Sequence, residues 1–350
     1  MTSPSRAEAP PRRGYAPPPS FVHLARLTDD TGLFEHARHA VVRREHGYCT
    51  DDVSRGLVVT SRETDPPAKV IRLAEGYLTF LTHAQHDSGA FHNRLGFDRR
   101  WQDEPGLGDW WGRALWGLGT AAAQSPAEWI RDEAYTAFNL GAARRSPAPH
   151  AMAFAGLGAA EILRVDPGNA LAGALLADAA SAVGWPASDP HWSWPDQHLS
   201  YASAALAEVV IAAGHLQGDV ARTAAGLRML TWLRDIQTID GRFSALPSTG
   251  WHRNTPRQRF DQQPIEVAAF VDACATAAEA DPAGEDGWQD GIRLATDWFL
   301  GHNDGDAPMW DRATGGGYDG LTPRGANLNE GAESTLALIS TLQHTRDGRG

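Results

Sequence analysis

The sequence predicts an all-α protein in which buried and half-exposed helices alternate, and three observations predict it. From about residue 30 onward the chain reads as roughly twelve helical stretches. The stretches are of two kinds that take turns, one with a charged stripe opposite an apolar one, the other apolar almost all round. A helix with one apolar stripe sits at a surface, whereas one apolar on every side is buried. Connections leading from the buried kind to the half-exposed kind are short, and most of those leading back are long. About six such hairpins close into a double layer, an (α/α)6 toroid.

Residues 67–85, 127–143, 219–237 and 285–301 form the amphipathic set, and 110–123, 150–164, 200–214, 264–279 and 331–342 the apolar set. The short connections carry Ser125-Pro126 and Asp166-Pro167, while the long ones fall at about 86–108, 185–199, 238–262 and 302–328. Loops of that length in a compact domain usually carry function. The third hairpin is the exception, with only R-R-S-P-A-P between its helices, so the rim is expected to be low there. If alternate helices run parallel, the helix starts near residues 51, 109, 148, 200, 263 and 330 meet at one end. No Pro/Ser/Gly linker interrupts residues 25–345, so one barrel domain is expected over 26–345, preceded by a disordered leader over 1–25.

A net charge of −12 argues against nucleic acid or an anionic membrane as partner, since both demand a basic face. Two cysteines, Cys49 and Cys274, cannot build a disulfide framework, and neither is expected to be catalytic. The Pro- and Arg-rich leader has no apolar segment of a secretion signal, and no apolar run is long enough to span a bilayer. These features point to a cytoplasmic protein acting on a small molecule.

Five polar, aromatic-rich stretches introduce the apolar helices. In H-G-Y-C-T-D-D-V-S-R (46–55), Thr50 is placed as the N-cap and Asp51 and Asp52 in the first turn, flanked by His46, Tyr48 and Arg55. Acidity alone discriminates little, because half-exposed helices also open with acids: Glu128, Asp166, Asp219 and Glu285. The company of His, Tyr and Arg is what differs. Residues 87–113 bring His92, Asn93, Arg94, Trp101, Asp109 and Arg113 together, the aromatic and bidentate polar groups that recognise sugar rings and vicinal hydroxyls. Trp110 and Trp111 are expected in the core. H-W-S-W-P-D-Q-H-L-S-Y (191–201) offers Trp194 and Asp196 as a subsite wall; its histidines lack metal-binding helical spacing, and no metal or other cofactor is expected. The fourth stretch contributes Trp251, Asp261, Gln262, Gln263 and Glu266, with Pro264 in the first helical turn. The fifth, 318–338, contributes Asn327 and Glu333, with Asn329 as cap and Glu330 as an ordinary dipole partner that tolerates Ala. Trp101, Trp194 and Trp251 are expected to be exposed at the polar end.

The stretches G-Y-C-T-D-D-V-S-R, F-H-N-R-L-G-F-D-R-R-W, D-W-W-G-R-A-L-W-G-L-G, F-D-Q-Q-P-I-E-V-A and N-L-N-E-G-A-E-S-T-L-A carry a resemblance. Spread over about residues 45–340, they resemble the six-hairpin glycosidase superfamily, and within it bacterial glycosidase-related proteins found beside glycosyltransferases and mannoside phosphorylases. The resemblance implies an (α/α)6 barrel and glycan-related activity.

The leading functional expectation is a glycoside hydrolase for a small carbohydrate, using two of Asp51, Asp52, Asp109, Glu266 and Glu333, with inversion as the favoured outcome. A carboxyl in apolar surroundings stays protonated, which favours Glu266 or Glu333 as general acid. Asp52 or Asp109, each one turn from an arginine, is expected as the ionised base. The alternatives are another sugar-converting toroid (epimerase, phosphorylase or lyase) and a non-catalytic glycan-binding partner of a glycosyltransferase.

Overall fold

The computed structural model describes residues 16–282, 284 and 287–347. Among them the chain forms twelve α-helices: α1 (Val22–Leu27), α2 (Thr50–Ser61), α3 (Ala68–Ala84), α4 (Asp109–Gln124), α5 (Glu128–Ala142), α6 (Pro149–Val165), α7 (Ala170–Val183), α8 (Ser203–Gln217), α9 (Val220–Gln237), α10 (Pro264–Ala280), α11 (Trp288–Phe299) and α12 (Ala332–Asp347). Each even-numbered helix packs on the next, and α12 packs back on α2, so the inner layer is a closed ring. Helices α3, α5, α7, α9 and α11 each cover the inner helix before them, and the short α1 covers α12. The fold is the (α/α)6 toroid that the alternation predicts.

Burial follows the two helix types. Inner α8 buries every residue from Ser203 to Gly214. Outer α3 buries Val70, Leu73, Ala74, Tyr77, Leu78, Phe80, Leu81 and Ala84, a single stripe at three-and-four spacing. The α4–α6 contact depends on glycine. A Cβ on Gly158 would stand 2.1 Å from the Leu115 carbonyl oxygen, and one on Gly119 would stand 2.2 Å from that of Gly158. Only the missing side chains let these two backbones touch.

The long connections gather above the N-terminal ends of the inner helices and are stitched by short antiparallel ribbons. Residues 48–49 pair with 94–95, 198–199 with 251–252, and 320–322 with 325–327, while Gln262 bridges Leu321. Two- and three-residue strands have no period-2 run to announce them.

Several expectations need correction. Of the leader expected over 1–25, residues 1–15 lie outside the described residues, but Val22 onward is helix α1, with His23 and Leu24 fully buried. Thr50 is not a cap. It is the first helical residue, and its hydroxyl donates to the His92 carbonyl at 2.7 Å. Helix α8 starts at Ser203 rather than 200, because Ala202 adopts a left-handed conformation (φ 46) ahead of it. Helix α11 starts at Trp288, after a left-handed Gly287; the expected opening acid, Glu285, lies outside the described residues. Among the described residues no helix is long and apolar enough to cross a membrane.

Candidate active site

The inner helices start at one end, and their opening residues touch around the ring. Asp51 on α2 lies 3.0 Å from Arg113 on α4, and Arg55 on α2 bonds to Glu333 on α12 at 2.6 Å. Asp109, the first residue of α4, accepts the hydroxyl of Tyr201, just ahead of α8. His150, near the start of α6, meets the Tyr201 carbonyl at 2.8 Å and stacks on its ring. Glu266 on α10 accepts the Ala202 backbone N–H at 2.5 Å. These contacts link the starts of all six inner helices into one polar face.

An open cavity of about 770 Å³ lies at this end. Of the predicted site residues, Asp51, Asp52, Arg55, Asn93, Asp109, Gln263, Asn327 and Glu333 line it. So do Glu35, His36, Trp110, Asp319 and Ser334, none of which sequence reasoning selected. Trp110 was assigned to the core; its indole N–H donates to the Phe91 carbonyl at 2.7 Å while the ring faces the cavity. Glu35 and His36 belong to the segment between α1 and α2, where no local pattern stands out.

Arg55 organises the floor. Its guanidinium pairs with Asp51, lies 3.2 Å from Asp52 and reaches Glu333. Burial disfavours its charge, but Asp51, Glu333 and Asp52 outweigh that effect and hold its pKa above the ordinary value. Arg113, over the Phe154 ring at 3.8 Å, is lowered instead, by burial and by the nearby Arg55. Burial drives Asp52 well above the usual carboxylate range and Asp109 above it to a lesser degree. Glu266 is pushed up to about 8 by the same cause. His150 is lowered by burial and so kept neutral.

These environments reverse part of the expected division of labour. Asp52, expected as an ionised base, is buried, and burial raises its carboxyl although Arg55 stands 3.2 Å away. Glu333, expected as an acid in apolar surroundings, has a side chain 39% exposed and ion-paired to Arg55. Arg113 serves Asp51 rather than Asp109. Glu266 is buried against Ala202 and does not line the cavity. Glu330, expected as a surface dipole partner, is 2% exposed, accepts the Thr314 hydroxyl at 2.6 Å and lies 3.5 Å from His23.

Other predicted residues build the walls rather than the cavity surface. Tyr48 is buried, donates to Asp29 at 2.8 Å and stacks on Phe34. His92 stacks on Trp101 and bonds through Nδ1 to the Asp103 carbonyl, so both rings brace the connection before α4. Arg94 pairs with Glu35. Gln262 is fully buried and ties the Trp298 indole to Asp304. Trp194 is not exposed but core, stacked on Trp232, and Trp251 stacks on that same ring from a half-buried position. His46, Asp196 and Asp261 are exposed and away from the cavity. Cys49 lines the cavity and donates to Asn93 at 3.3 Å, and burial pushes its thiol well up, which disfavours the thiolate. Glu35, Cys49 and Asp52 each bring one ligating atom within 4.8 Å of the others, and burial raises the thiol and Asp52, so a cation held there would have to displace their protons.

No family model matches the chain, and no curated protein resembles it in sequence. Solved structures match its fold throughout. A sugar epimerase from a ruminal bacterium superposes with a TM-score of 0.70 at 12% identity, covering 92% of this chain and 95% of that one. The cellobiose 2-epimerase from Bacillus thermoamylovorans gives 0.71 at 11% identity over 93% and 95%. An α-mannanase of glycoside hydrolase family 76 from Bacteroides thetaiotaomicron gives 0.62 at 9% identity over 93% of both chains. The chain shares with these proteins the six-hairpin toroid.

Proposed function

We propose that the protein is a sugar-converting enzyme whose reaction takes place in the cavity at the N-terminal end of the inner helices, and that the reaction is hydrolysis of a small glycoside. The observation that carries this reading is the lining of the cavity: Asp51, Asp52, Asp109 and Glu333, arranged around Arg55. Glycoside hydrolysis needs a carboxyl that holds its proton and a second that is ionised, on opposite sides of the bond. Asp109, raised by burial and still in contact with the cavity, supplies the proton. Glu333, half-open and paired to Arg55, activates water. The two sit on α4 and α12, either side of α2, and with a water placed between sugar and Glu333 the outcome is inversion. Trp110 offers a face for the ring to stack on.

A second reading, epimerisation or isomerisation, is favoured by the neutral His150 beside Tyr201 and Asp109, and by fold neighbours described as a sugar epimerase, a cellobiose 2-epimerase and a D-mannose isomerase. Hydrolysis is preferred because His36 is the one histidine among the residues lining the cavity, whereas six carboxylates line it: Glu35, Asp51, Asp52, Asp109, Asp319 and Glu333.

Incubation with a panel of disaccharides and aryl glycosides, followed by NMR of the anomeric protons, separates the two. Hydrolysis releases a monosaccharide whose first-formed anomer is inverted. D109N and E333Q should each lower the rate by about 10²–10⁴-fold while leaving the fold intact. Conversion of a free sugar to its epimer or ketose without cleavage would replace this reading with the second.

A further inference from the structure

Asp109 opens α4 with its carboxyl at the N-terminal cavity, and the hydroxyl of Tyr201 donates to its Oδ2. Tyr201 lies just ahead of α8 in a turn held from three sides. Its ring stacks on that of His150, with centroids 4.6 Å and planes 24° apart. His150 Nε2 lies 2.8 Å from the Tyr201 carbonyl and 3.3 Å from the Ser200 hydroxyl. The next residue, Ala202, is left-handed (φ 46) and gives its N–H to Glu266 at 2.5 Å. The Ser203 hydroxyl returns to the Ser200 carbonyl at 3.0 Å. Side chains of α6, α8 and α10 thus fix where the Tyr201 hydroxyl stands.

A phenolic hydroxyl has one hydrogen to give. Among the described residues, Asp109 Oδ2 is the one acceptor that the Tyr201 hydroxyl meets, so that hydrogen points at Oδ2. Asp109 Oδ1 has no partner among the described residues and is not buried. When Asp109 is protonated, its own hydrogen therefore belongs on Oδ1. The charged and titratable groups acting on Asp109 are Arg113 one turn along α4, His150 on α6, and Asp51 and Arg55 on α2. Arg113 and Arg55 are engaged with Asp51, and His150 holds its Nε2 hydrogen against the Tyr201 carbonyl. None of them takes the place of the Tyr201 hydroxyl.

We propose that Tyr201 is the positioning residue of the general acid: by donating to Oδ2 it fixes the transferable proton of Asp109 on Oδ1, and it stabilises the carboxylate left behind. This role rests on Asp109 being the proton donor to a glycoside. In that step the Oδ1 proton passes to the glycosidic oxygen while the bond from that oxygen to the anomeric carbon breaks, its electron pair staying on the oxygen. The water beside Glu333 bonds to the anomeric carbon and gives a proton to Glu333. Asp109 ends as an anion, and a hydrogen bond to an anion is stronger than one to a neutral carboxyl. An interaction that strengthens as the proton leaves lowers the barrier. It also makes Asp109 a stronger acid, against burial, which raises it.

Carboxyl-carbon NMR of the full chain, labelled with ¹³C at aspartate, follows Asp109 directly, its resonance assigned by its loss in D109N. In Y201F, which keeps the ring on His150, the Asp109 midpoint should move up by about half a pH unit or more, because the bond that favours the anion is gone. Rates on the 2,4-dinitrophenyl and methyl glycosides of a sugar cleaved in the disaccharide and aryl glycoside panel give the second readout. Dinitrophenolate leaves with little protonation, whereas methanol needs it. Y201F should lose about tenfold or more in kcat on the methyl glycoside and less than about threefold on the dinitrophenyl one. H150Q, which releases the ring, should show the same preference, and it decides if thermal melts show Y201F unfolded. A midpoint unchanged or lowered in folded Y201F, or equal losses on the two glycosides, would overturn the proposal. A raised midpoint in a chain that cleaves no glycoside would overturn hydrolysis, and this role with it, while leaving the contact of Tyr201 with Asp109 intact.

Discussion

At the scale of single residues, direction matters more than composition. Glu266 and Glu333 stand in similarly apolar sequence, yet one is 5% exposed against Ala202 and the other has a side chain 39% exposed and meets Arg55. Sequence identifies both as carboxylates near helix starts, but the facing residues come from other helices and cannot be read locally. Glu266 holds its proton up to about pH 8 in the fold, against an ordinary value of 4.5. An unfolded chain loses that proton earlier, so over this window the group makes stability fall as pH rises, by about 1.4 kcal/mol per pH unit. E266Q keeps the acceptor for Ala202 and carries no charge. Denaturant unfolding at pH 5 and pH 8 should show the native chain losing more stability between the two than E266Q does; equal losses would refute the burial assigned to this carboxyl. Glu330 gives a second check. Truncation to Ala removes the acceptor of the half-buried Thr314 hydroxyl and the carboxylate beside the fully buried His23, and should cost about 1–3 kcal/mol by the shift in denaturation midpoint. A neutral effect would return Glu330 to the surface role expected from sequence.

At the scale of elements, the helices were the legible part. The stretch expected over 127–143 is Glu128–Ala142, that over 264–279 is Pro264–Ala280, and that over 67–85 is Ala68–Ala84. Their periodicity reports a long, regular burial pattern, which sequence expresses directly. The short ribbons of the rim were not legible, and neither was the start of α8, which depends on one left-handed residue, Ala202. The tightness of α4 on α6 shows in the sequence only as glycines. Gly158→Ala places a methyl 2.1 Å from the Leu115 carbonyl oxygen, so the helices must part. The expected loss is about 1–3 kcal/mol, seen as a lowered melting temperature, although alanine is the better helix former. An unchanged or raised melting temperature would contradict the close contact.

At the scale of the whole molecule, alternation of helix type gave the double layer, and the helix starts gave the polar end. What stayed hidden is how the ring closes. The segment between α1 and α2 meets the segment before α12: the Ala332 N–H donates to the Glu35 carbonyl at 3.0 Å, and that of Glu330 to the His39 carbonyl at 3.1 Å. This contact between distant parts of the chain brings Glu35 and His36 beside Asp319 and Ser334 in one cavity. No local pattern in either segment reports the other. The central claim, that a glycoside is cleaved between Asp109 and Glu333, is tested most directly by a crystal structure of D109N holding an uncleaved substrate. The account predicts a sugar in the N-terminal cavity, its glycosidic oxygen at residue 109, and a carboxyl separation of about 6.5–9.5 Å with a water beside Glu333. A sugar bound elsewhere, or one whose scissile bond touches neither residue, would contradict it.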